Sequence, residues 1–359
     1  MNALAPAQPA GELDSHEIER RFAEQRAMIG DTPLYALGLR VRGRELCVYA
    51  KDESRNLTGS IKDRMAHFVL EDAWRRGEWQ PGDEIAEATS GNTGIAFAAL
   101  GRRFGSPVRI FMPDWMSKER KLLLSSLGAT LVPVSHEQGG FIGSIALADA
   151  WAREHEHVFR PQQFSNRANI EAHRLGTGPE FALQLERAGL RPTAFVAGVG
   201  TGGTVMGVGA ALREHFGRVA VHPLEPANSP TLRTGKREGV HRIQGISDEF
   251  IPEILDLAAL DALVDVWDGD AIIVAQRLAR EFGLAFGISS GANLIGAVQV
   301  ALAQGPGAVV TTVFADCSRK YLSGPLGESE LVKPGYLSPE IEFLGFELVR
   351  ATSSVTRFE

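Results

Sequence analysis

The spacing of apolar positions alternates between two periods along the chain. Short apolar runs at residues 84–88, 108–112 and 130–134 are typical of buried strands. The stretches that follow, such as residues 94–104 and 141–154, place their apolar residues at helical spacing. Strands that alternate with helices of this length predict βαβ units and a parallel sheet.

The same alternation continues through the rest of the chain. Further strands are predicted at residues 45–51, 193–199, 219–224 and 309–314. Further helices are predicted at residues 16–28, 62–76, 117–127, 178–188, 204–215, 270–282 and 291–303. Asp14 or Ser15 can cap the first of these helices. Residues 1–15 and the tail from Gly324 lack clear periodicity.

The composition is that of an ordinary soluble globular protein. The chain has 359 residues, 44% apolar and 23% charged, which suffices for one large or two medium domains. Its net charge of −7 disfavours nucleic acid as a partner. Cys47 and Cys317 form neither a metal-binding spacing nor a disulfide framework, so we expect no metal and a reducing cytoplasm. No apolar run is long enough to span a membrane, and residues 1–15 do not resemble a signal peptide.

A lysine stands at the start of the helix predicted at residues 62–76. Lys62 follows the small polar turn formed by residues 58–60 and lies off the apolar stripe of the helix. Because a helix N-terminus carries positive partial charge, that position predicts a lowered lysine pKa and a nucleophilic amine. The alternative is a solvated surface lysine, which is the usual situation for a lone lysine.

A glycine-rich loop, Gly198-Val-Gly-Thr-Gly-Gly-Thr204, joins an apolar strand to a helix. Glycines allow close backbone approach, and the unpaired N–H groups of the helix start favour a phosphate. The alternative is a turn needed only for tight packing. The loop lacks the Gly-Lys-Ser/Thr of a Walker loop and the spacing of a dinucleotide fingerprint, so a Rossmann site is disfavoured.

Two other loops carry hydroxyl groups. Residues 89–93, Thr-Ser-Gly-Asn-Thr, follow a strand and can hold a carboxylate while Asn92 reaches a ring oxygen. Residues 287–291, Gly-Ile-Ser-Ser-Gly, offer a serine to a heteroaromatic nitrogen. In both loops the alternative is that the hydroxyl groups only cap the next helix.

Together these segments resemble the cysteine synthase (O-acetylserine sulfhydrylase) and cystathionine β-synthase family of fold type II pyridoxal-phosphate enzymes. The resemblance covers residues 30–325 and includes Met116–Arg120, 163–166 and 177–180 in family order. It implies an α/β fold like that of the tryptophan synthase β subunit, with two three-layer α/β/α domains and mostly parallel sheets. The resemblance implies two domains and two extensions. The first domain, residues 31–170, contains the lysine and a mobile lobe, and the second, residues 171–325, contains the phosphate loop. Residues 1–30 form an N-terminal extension and residues 326–359 a C-terminal extension.

The resemblance also implies a role for each site residue. Lys62 would form the Schiff base with pyridoxal 5′-phosphate and take the Cα proton of the substrate. Asn92 would contact the ring hydroxyl and Ser289, or its neighbour Ser290, the pyridine nitrogen. The phosphate would be bound by Gly200, Thr201, Gly202, Gly203 and Thr204. The amino-acid carboxylate would be bound by Thr89, Ser90, Gly91, Thr93 and Gln163.

The implied reaction is β-replacement on an activated L-serine, with O-acetyl-L-serine and sulfide giving L-cysteine. A homodimer in the cytoplasm and small-molecule partners are expected, without nucleic acid or membrane. Ser247, Asp248 and Glu249 replace a small apolar stretch of the family, and 316–322 also differ. These departures keep two alternatives open: another donor or nucleophile, such as homocysteine or an amine, and a catalytically quiet homologue that binds a partner's peptide.

Overall fold

A computed structural model describes residues 13–236, 238–247 and 249–350. The described chain divides into two compact units. One contains the described residues up to Ile29 together with Ala66–Gln162, and the other contains Gly30–Met65 together with the described residues from Gln163 onward. The domain division predicted at residues 30, 170 and 325 stays a prediction.

Strands and helices alternate along most of the chain. The strands are β1 (Leu34–Val41), β2 (Arg44–Asp52), β3 (Glu84–Ala88), β4 (Val108–Pro113), β5 (Thr130–Val134), β6 (Val158–Phe159), β7 (Ala194–Gly198), β8 (Ala220–Pro226), β9 (Val264–Val266), β10 (Val310–Phe314) and β11 (Ile341–Leu348). The α-helices are α1 (Ser15–Arg26), α2 (Lys62–Arg75), α3 (Asn92–Arg102), α4 (Lys118–Ser126), α5 (Gly140–Glu154), α6 (Ala168–Ala172), α7 (Gly178–Arg187), α8 (Gly203–Phe216), α9 (Thr231–Thr234), α10 (Asp268–Phe282) and α11 (Ile288–Gln304). A π-helix spans His173–Thr177, between α6 and α7. In the part of the chain that the structure describes, no helix is long and apolar enough to cross a membrane.

A seven-stranded sheet forms the centre of the larger unit, in the order β11-β1-β2-β10-β7-β8-β9. β1 pairs antiparallel with β2 and β11, and the other pairs are parallel. Leu37 and Leu39 of β1 point into a core that includes side chains of α10 and α11. Leu34 and Ala36 point into a second core, which includes side chains of α7 and α8. The sheet therefore has helices on both faces.

A four-stranded parallel sheet, in the order β5-β4-β3-β6, forms the centre of the smaller unit. Phe111 of β4 packs with Ala148 of α5 on one face. On the other face, α3 approaches so closely that a Cβ at Gly94 would lie 3.1 Å from the side chain of Ile110. This unit also has three layers, and the α/β class with mostly parallel sheets is confirmed.

The structure corrects two parts of the sequence-based assignment. The helix predicted at residues 291–303 begins three residues earlier, at Ile288, so Ser289 and Ser290 lie in its first turn and do not precede it. β1 and β11 were not predicted. β1 is buried on both faces and so lacks polar alternation, and β11 is a half-exposed strand at the edge of the sheet.

A cluster of buried charges joins the end of β2, the start of α2 and the start of α7. Glu53 accepts hydrogen bonds from Arg64 at 2.6 and 2.8 Å, and Glu180 accepts from Arg64 and from Lys51. Burial raises the pKa of Glu180, but the hydrogen bonds and positive charges of Arg64 and Lys51 together outweigh burial and lower that pKa to about 2. The stability that Glu180 adds is therefore complete above its usual value of 4.5 and is lost as the pH falls towards 2.

We expect Glu53→Gln to destabilise the protein strongly. The change removes the fully buried one of the two carboxylates that pair with the Arg64 guanidinium, and breaking such a buried pair costs about 3 kcal/mol or more. Denaturant unfolding at neutral pH would measure the loss. The control is Glu17→Gln, which removes the exposed ion pairs of Glu17 with Arg20 and Arg21 and should change the unfolding midpoint little. Equal effects of the two changes would contradict the role of the cluster.

Candidate active site

Lys62 is positioned by backbone pairing of the turn that precedes it. The Ile61 N–H donates to the Ala315 carbonyl at 2.9 Å, and the Cys317 N–H donates to the Gly59 carbonyl at 3.3 Å. Residues 59–61 are thus joined to the segment that follows β10. α2 begins at Lys62, as the sequence predicted, and the half-buried lysine lines a cavity.

The cavity lies within the larger unit and has a volume of about 40 Å³. It brings Lys62 together with the glycine loop after β7, the start of α11 and the segment after β10. It is lined by Ile61, Lys62, Gly198, Gly200, Thr201, Gly202, Thr204, Gly245, Ile246, Ser289, Asn293, Val313 and Ala315. Among the described residues, no group of three or more His, Cys, Asp or Glu side chains is placed to hold a metal ion.

The glycine loop has the geometry of an anion cradle. Gly202 has a φ of +89°, which favours glycine, and a Cβ at Gly200 would lie only 2.4 Å from the Gly245 carbonyl oxygen. α8 begins at Gly203, whose N–H donates to the Thr201 hydroxyl at 3.3 Å, and its N-cap residue, Gly202, has no side chain to cap the helix. The N–H groups of the first turn after Gly203, with the Thr201 and Thr204 hydroxyls, are therefore placed to bind a phosphate in the cavity.

The start of α11 forms another wall of the cavity. Ser289 lines the cavity, whereas the Ser290 hydroxyl accepts a hydrogen bond from the Ala315 N–H at 3.1 Å. No side chain caps α11, so the capping alternative for these serines is not observed. Asn293, one turn after Ser289, accepts from the Gly198 N–H and donates to the Val313 carbonyl. Of the two serines, Ser289 is the one that a ligand in the cavity can contact.

The segment before Asp248 crosses the glycine loop. Gly245 and Ile246 line the cavity, and the Ser247 N–H donates to the Val199 carbonyl at 2.7 Å. Ser247 has a φ of +52°, unusual for a residue with a side chain, and its carbonyl accepts a hydrogen bond from His241. Asp248 lies outside the described residues, and Glu249 is half-buried.

The Thr-Ser-Gly-Asn-Thr loop, residues 89–93, belongs to the smaller unit and connects β3 to α3. The Gly91 N–H donates to the Thr89 hydroxyl at 3.0 Å, and no side chain caps α3. Thr89 and Thr93 are buried, and Ser90 and Asn92 are half-buried. Gly91 allows Arg120 to pack against the loop, since a Cβ there would lie 2.6 Å from the Arg120 side chain.

Gln163 is buried in the larger unit but does not line the cavity. Its carbonyl accepts a hydrogen bond from Asn169 at 2.8 Å. The binding roles assigned to Gln163 and to the loop at residues 89–93 stay predictions.

Sequence reasoning missed part of the cavity wall. It did not single out Asn293, although an amide in the mostly apolar helix α11, four residues after Ser289, was a visible signal. Gly245 and Ile246, which directly precede the departure at residues 247–249, were not predicted as site residues. Val313 and Ala315 reach the cavity because β10 lies between β2 and β7, which is a property of the topology and not of the local sequence.

Comparison with known proteins agrees with this geometry. The model of the family described as pyridoxal-phosphate dependent enzymes matches residues 26–316. A cysteine synthase of Staphylococcus aureus is 42% identical over 299 residues, which are 83% of this chain and 95% of that protein. A hydrogen sulfide-producing enzyme of Fusobacterium nucleatum is 48% identical, with a TM-score of 0.89 over 92% of this chain and 100% of that one. A cysteine synthase of Entamoeba histolytica is 30% identical, with a TM-score of 0.77 over 94% and 98%.

The matched range contains Lys62 and every residue that lines the cavity. The amine, the anion cradle and the serine hydroxyl are also the groups that such a cofactor requires: an amine to bond, donors for a phosphate and a partner for a ring nitrogen. The chain therefore belongs to the family of pyridoxal-phosphate-dependent enzymes that includes the cysteine synthases, and pyridoxal 5′-phosphate is its cofactor.

Proposed function

We propose that this enzyme makes L-cysteine from O-acetyl-L-serine and sulfide. The observation that carries the proposal is the cavity that joins the Lys62 amine, the uncapped start of α8 and the Ser289 hydroxyl. Identity of 42% over nearly the whole length of a cysteine synthase supports the choice of reaction. The bound cofactor supplies the electron sink that allows a Cα proton and a Cβ substituent to leave the substrate.

Lys62 holds the cofactor covalently and later moves a proton. The Lys62 Nζ would bond the cofactor and, when it is free of that bond, would take the Cα proton of the substrate as a general base. The backbone pairing of residues 59–61 with the segment after β10 keeps that amine inside the cavity through the reaction. A short, fixed path for the proton follows from this anchoring.

The glycine loop orients the cofactor, and Ser289 sets the charge of its ring. Gly200, Thr201, Gly202, Gly203 and Thr204 bind the phosphate with backbone N–H groups and hydroxyls. Ser289 hydrogen-bonds the pyridine nitrogen with a neutral hydroxyl. A neutral hydroxyl does not stabilise a protonated ring as a carboxylate does. A serine at this position therefore favours loss of the Cβ substituent over transamination.

The substrate carboxylate is bound by donors on two segments. Thr89, Ser90, Gly91 and Thr93 offer hydroxyl and N–H groups at the uncapped start of α3, and Asn92 contacts the ring hydroxyl. Gln163 adds an amide. Closure of residues 108–154 over the substrate would exclude water, as the resemblance implies.

A second candidate reaction is also a β-replacement, but it releases sulfide where the first reaction consumes it. Sulfide leaves the Cβ of L-cysteine and another nucleophile, such as a thiol-bearing amino acid, takes its place. Two observations favour it: the 48% identity to a hydrogen sulfide-producing enzyme, and the acidic residues Asp248 and Glu249, which closely follow the cavity residue Ile246 in the sequence. Negative charge there disfavours anionic hydrosulfide and suits a zwitterionic nucleophile.

The direction of sulfide flow separates the two reactions. We expect kcat/KM for O-acetyl-L-serine with sulfide to exceed that for L-cysteine with homocysteine by at least about tenfold, a difference of about 1.4 kcal/mol. Replacing Asp248 by Asn and Glu249 by Gln should raise sulfide use, because repulsion of hydrosulfide is removed. The control is Glu253→Gln, an exposed carboxylate of the same segment. A kcat/KM for L-cysteine with homocysteine that exceeds the value for O-acetyl-L-serine with sulfide would establish the second reaction instead.

Gly200→Ala should reduce cofactor occupancy. The new Cβ would lie 2.4 Å from the Gly245 carbonyl, so the loop or the segment that crosses it must move away from the phosphate position. The ratio of cofactor absorbance to protein measures occupancy. Gly324→Ala is the control, because its Cβ would meet only an ordinary 3.6 Å contact. Full occupancy of Gly200→Ala would refute the placement of the phosphate.

We further propose a cytoplasmic homodimer whose other partners are small molecules, without nucleic acid or membrane. The two cysteines are free, and the chain is acidic, which supports a reducing compartment and argues against nucleic acid. Sedimentation of the purified holoenzyme tests the dimer.

A further inference from the structure

Two buried polar side chains lie behind the glycine loop, on the segment formed by α6 and the π-helix. Asn169 and His173 are four residues apart and each is only 1% exposed. Asn169 donates to the Thr201 hydroxyl at 2.9 Å, and the His173 Nε2 lies 3.4 Å from the Thr204 hydroxyl. Neither side chain lines the cavity, but both contact a threonine that does.

Asn169 determines which way the Thr201 hydroxyl points. Its amide nitrogen also donates to the Gln163 carbonyl at 2.8 Å, so nitrogen and not oxygen faces Thr201. The Thr201 oxygen accepts a second hydrogen bond from the Gly203 N–H at 3.3 Å. A hydroxyl has two acceptor positions and one donor, so both acceptor positions are used. Thr201 can therefore only donate to a ligand in the cavity.

His173 can do the same for Thr204. Burial, reinforced by the charges of Lys62 and Arg64, holds the pKa of His173 well below its usual value, so the ring is neutral and carries one N–H. The His173 Nδ1 lies 2.9 Å from the Thr177 hydroxyl, which can donate to it. The ring hydrogen then resides on Nε2 and points at Thr204. The opposite tautomer would consume the Thr204 hydrogen, which a phosphate oxygen, an acceptor only, cannot replace.

Two glycines of α8 make this close arrangement sterically possible. A Cβ at Gly203 would lie 2.0 Å from the Asn169 amide oxygen, and a Cβ at Gly207 would lie 2.4 Å from the Ile170 carbonyl and 2.7 Å from the His173 Cβ. Gly203 and Gly207 are themselves four residues apart, so they match Asn169 and His173 turn for turn. Any larger side chain at either glycine would separate the two layers.

We propose that Asn169 and His173 are positioning residues that fix the Thr201 and Thr204 hydroxyls as donors to the cofactor phosphate. The cradle thus has a defined hydrogen-bond polarity before the phosphate arrives, and no hydroxyl needs to reorient. The inference rests on the proposed placement of the phosphate at the glycine loop and does not depend on which reaction the enzyme performs.

The test compares two ligands that differ only in the phosphate. The full-length protein is dialysed against pyridoxal 5′-phosphate or against pyridoxal, and the ratio of the two dissociation constants measures what the phosphate contributes. Asn169→Leu and His173→Leu should each reduce that ratio by roughly tenfold, the effect of one lost hydrogen bond to a charged group. Asn169→Asp, which keeps the shape but replaces the donor by an acceptor, should reduce it as well. His173→Gln, whose amide nitrogen can reach the place of Nε2, should restore most of it.

A matched control separates positioning from general destabilisation. His67 is also a buried histidine, bonded to the Phe22 carbonyl at 3.0 Å. His67→Leu should lower the unfolding temperature but leave the ratio unchanged. If Thr201→Val and Thr204→Val reduce the ratio while the Asn169 and His173 variants do not, the inference is wrong. If the threonine variants also leave it unchanged, the placement of the phosphate falls with it, whichever reaction the enzyme catalyses.

A spectroscopic reading tests the tautomer directly. In the holoenzyme, ¹⁵N shifts of the His173 ring, assigned by their absence in His173→Gln, should show a neutral ring with its hydrogen on Nε2. A hydrogen on Nδ1 or a doubly protonated ring would overturn the polarity proposed for Thr204.

Discussion

The buried charges of Lys51, Glu53 and Arg64, together with the half-buried Glu180, hold the start of α2 in place. Arg64 follows Lys62 by two residues and is bonded to carboxylates on two other segments, so the first turn of α2 cannot shift without breaking them. Removing four charges from water is costly, and such a cluster adds less to stability than its hydrogen bonds suggest. Its value here is geometric, because it fixes where the Lys62 amine enters the cavity.

Close backbone approach is the second constraint around the cavity. Gly200 lies under the Gly245 carbonyl, and Gly203 and Gly207 lie against the segment that carries Asn169 and His173. At each of these contacts, the glycine has no side chain, and a neighbouring segment of the chain can therefore approach the glycine loop or α8 closely. The anion cradle therefore depends on three packed segments of the larger unit and not on the glycine loop alone.

The sequence predicted what local patterns determine. Periodicity found β3 and β5 at their observed ends, and Asp14 caps α1 by accepting from the Glu17 N–H. Lys62 was predicted at a helix start because a turn of small residues precedes it. The Gly-rich loop was predicted as a phosphate site because a strand leads into it and a helix follows, and it does line the cavity.

What the sequence did not reveal depends on contacts between distant segments. The apolar run of β1 has no alternation because two cores cover it, and β11 joins the sheet only through its pairing with β1, about three hundred positions earlier. Asn169 and His173 have no local signature, since their role depends on which helix packs against them. The positive φ of Ser247 likewise occurs where its backbone is bonded to Val199 and His241, which lie outside the local sequence pattern.

The most direct test of the account is the absorption spectrum of the full-length protein as O-acetyl-L-serine and then sulfide are added. The account predicts a visible band of cofactor bound through Lys62, which shifts when O-acetyl-L-serine is added and returns when sulfide follows. Lys62→Ala should lack that band while its circular dichroism stays that of the wild type. A band that O-acetyl-L-serine leaves unchanged would contradict the proposed donor, and a wild-type band in Lys62→Ala would contradict the lysine on which the account is built.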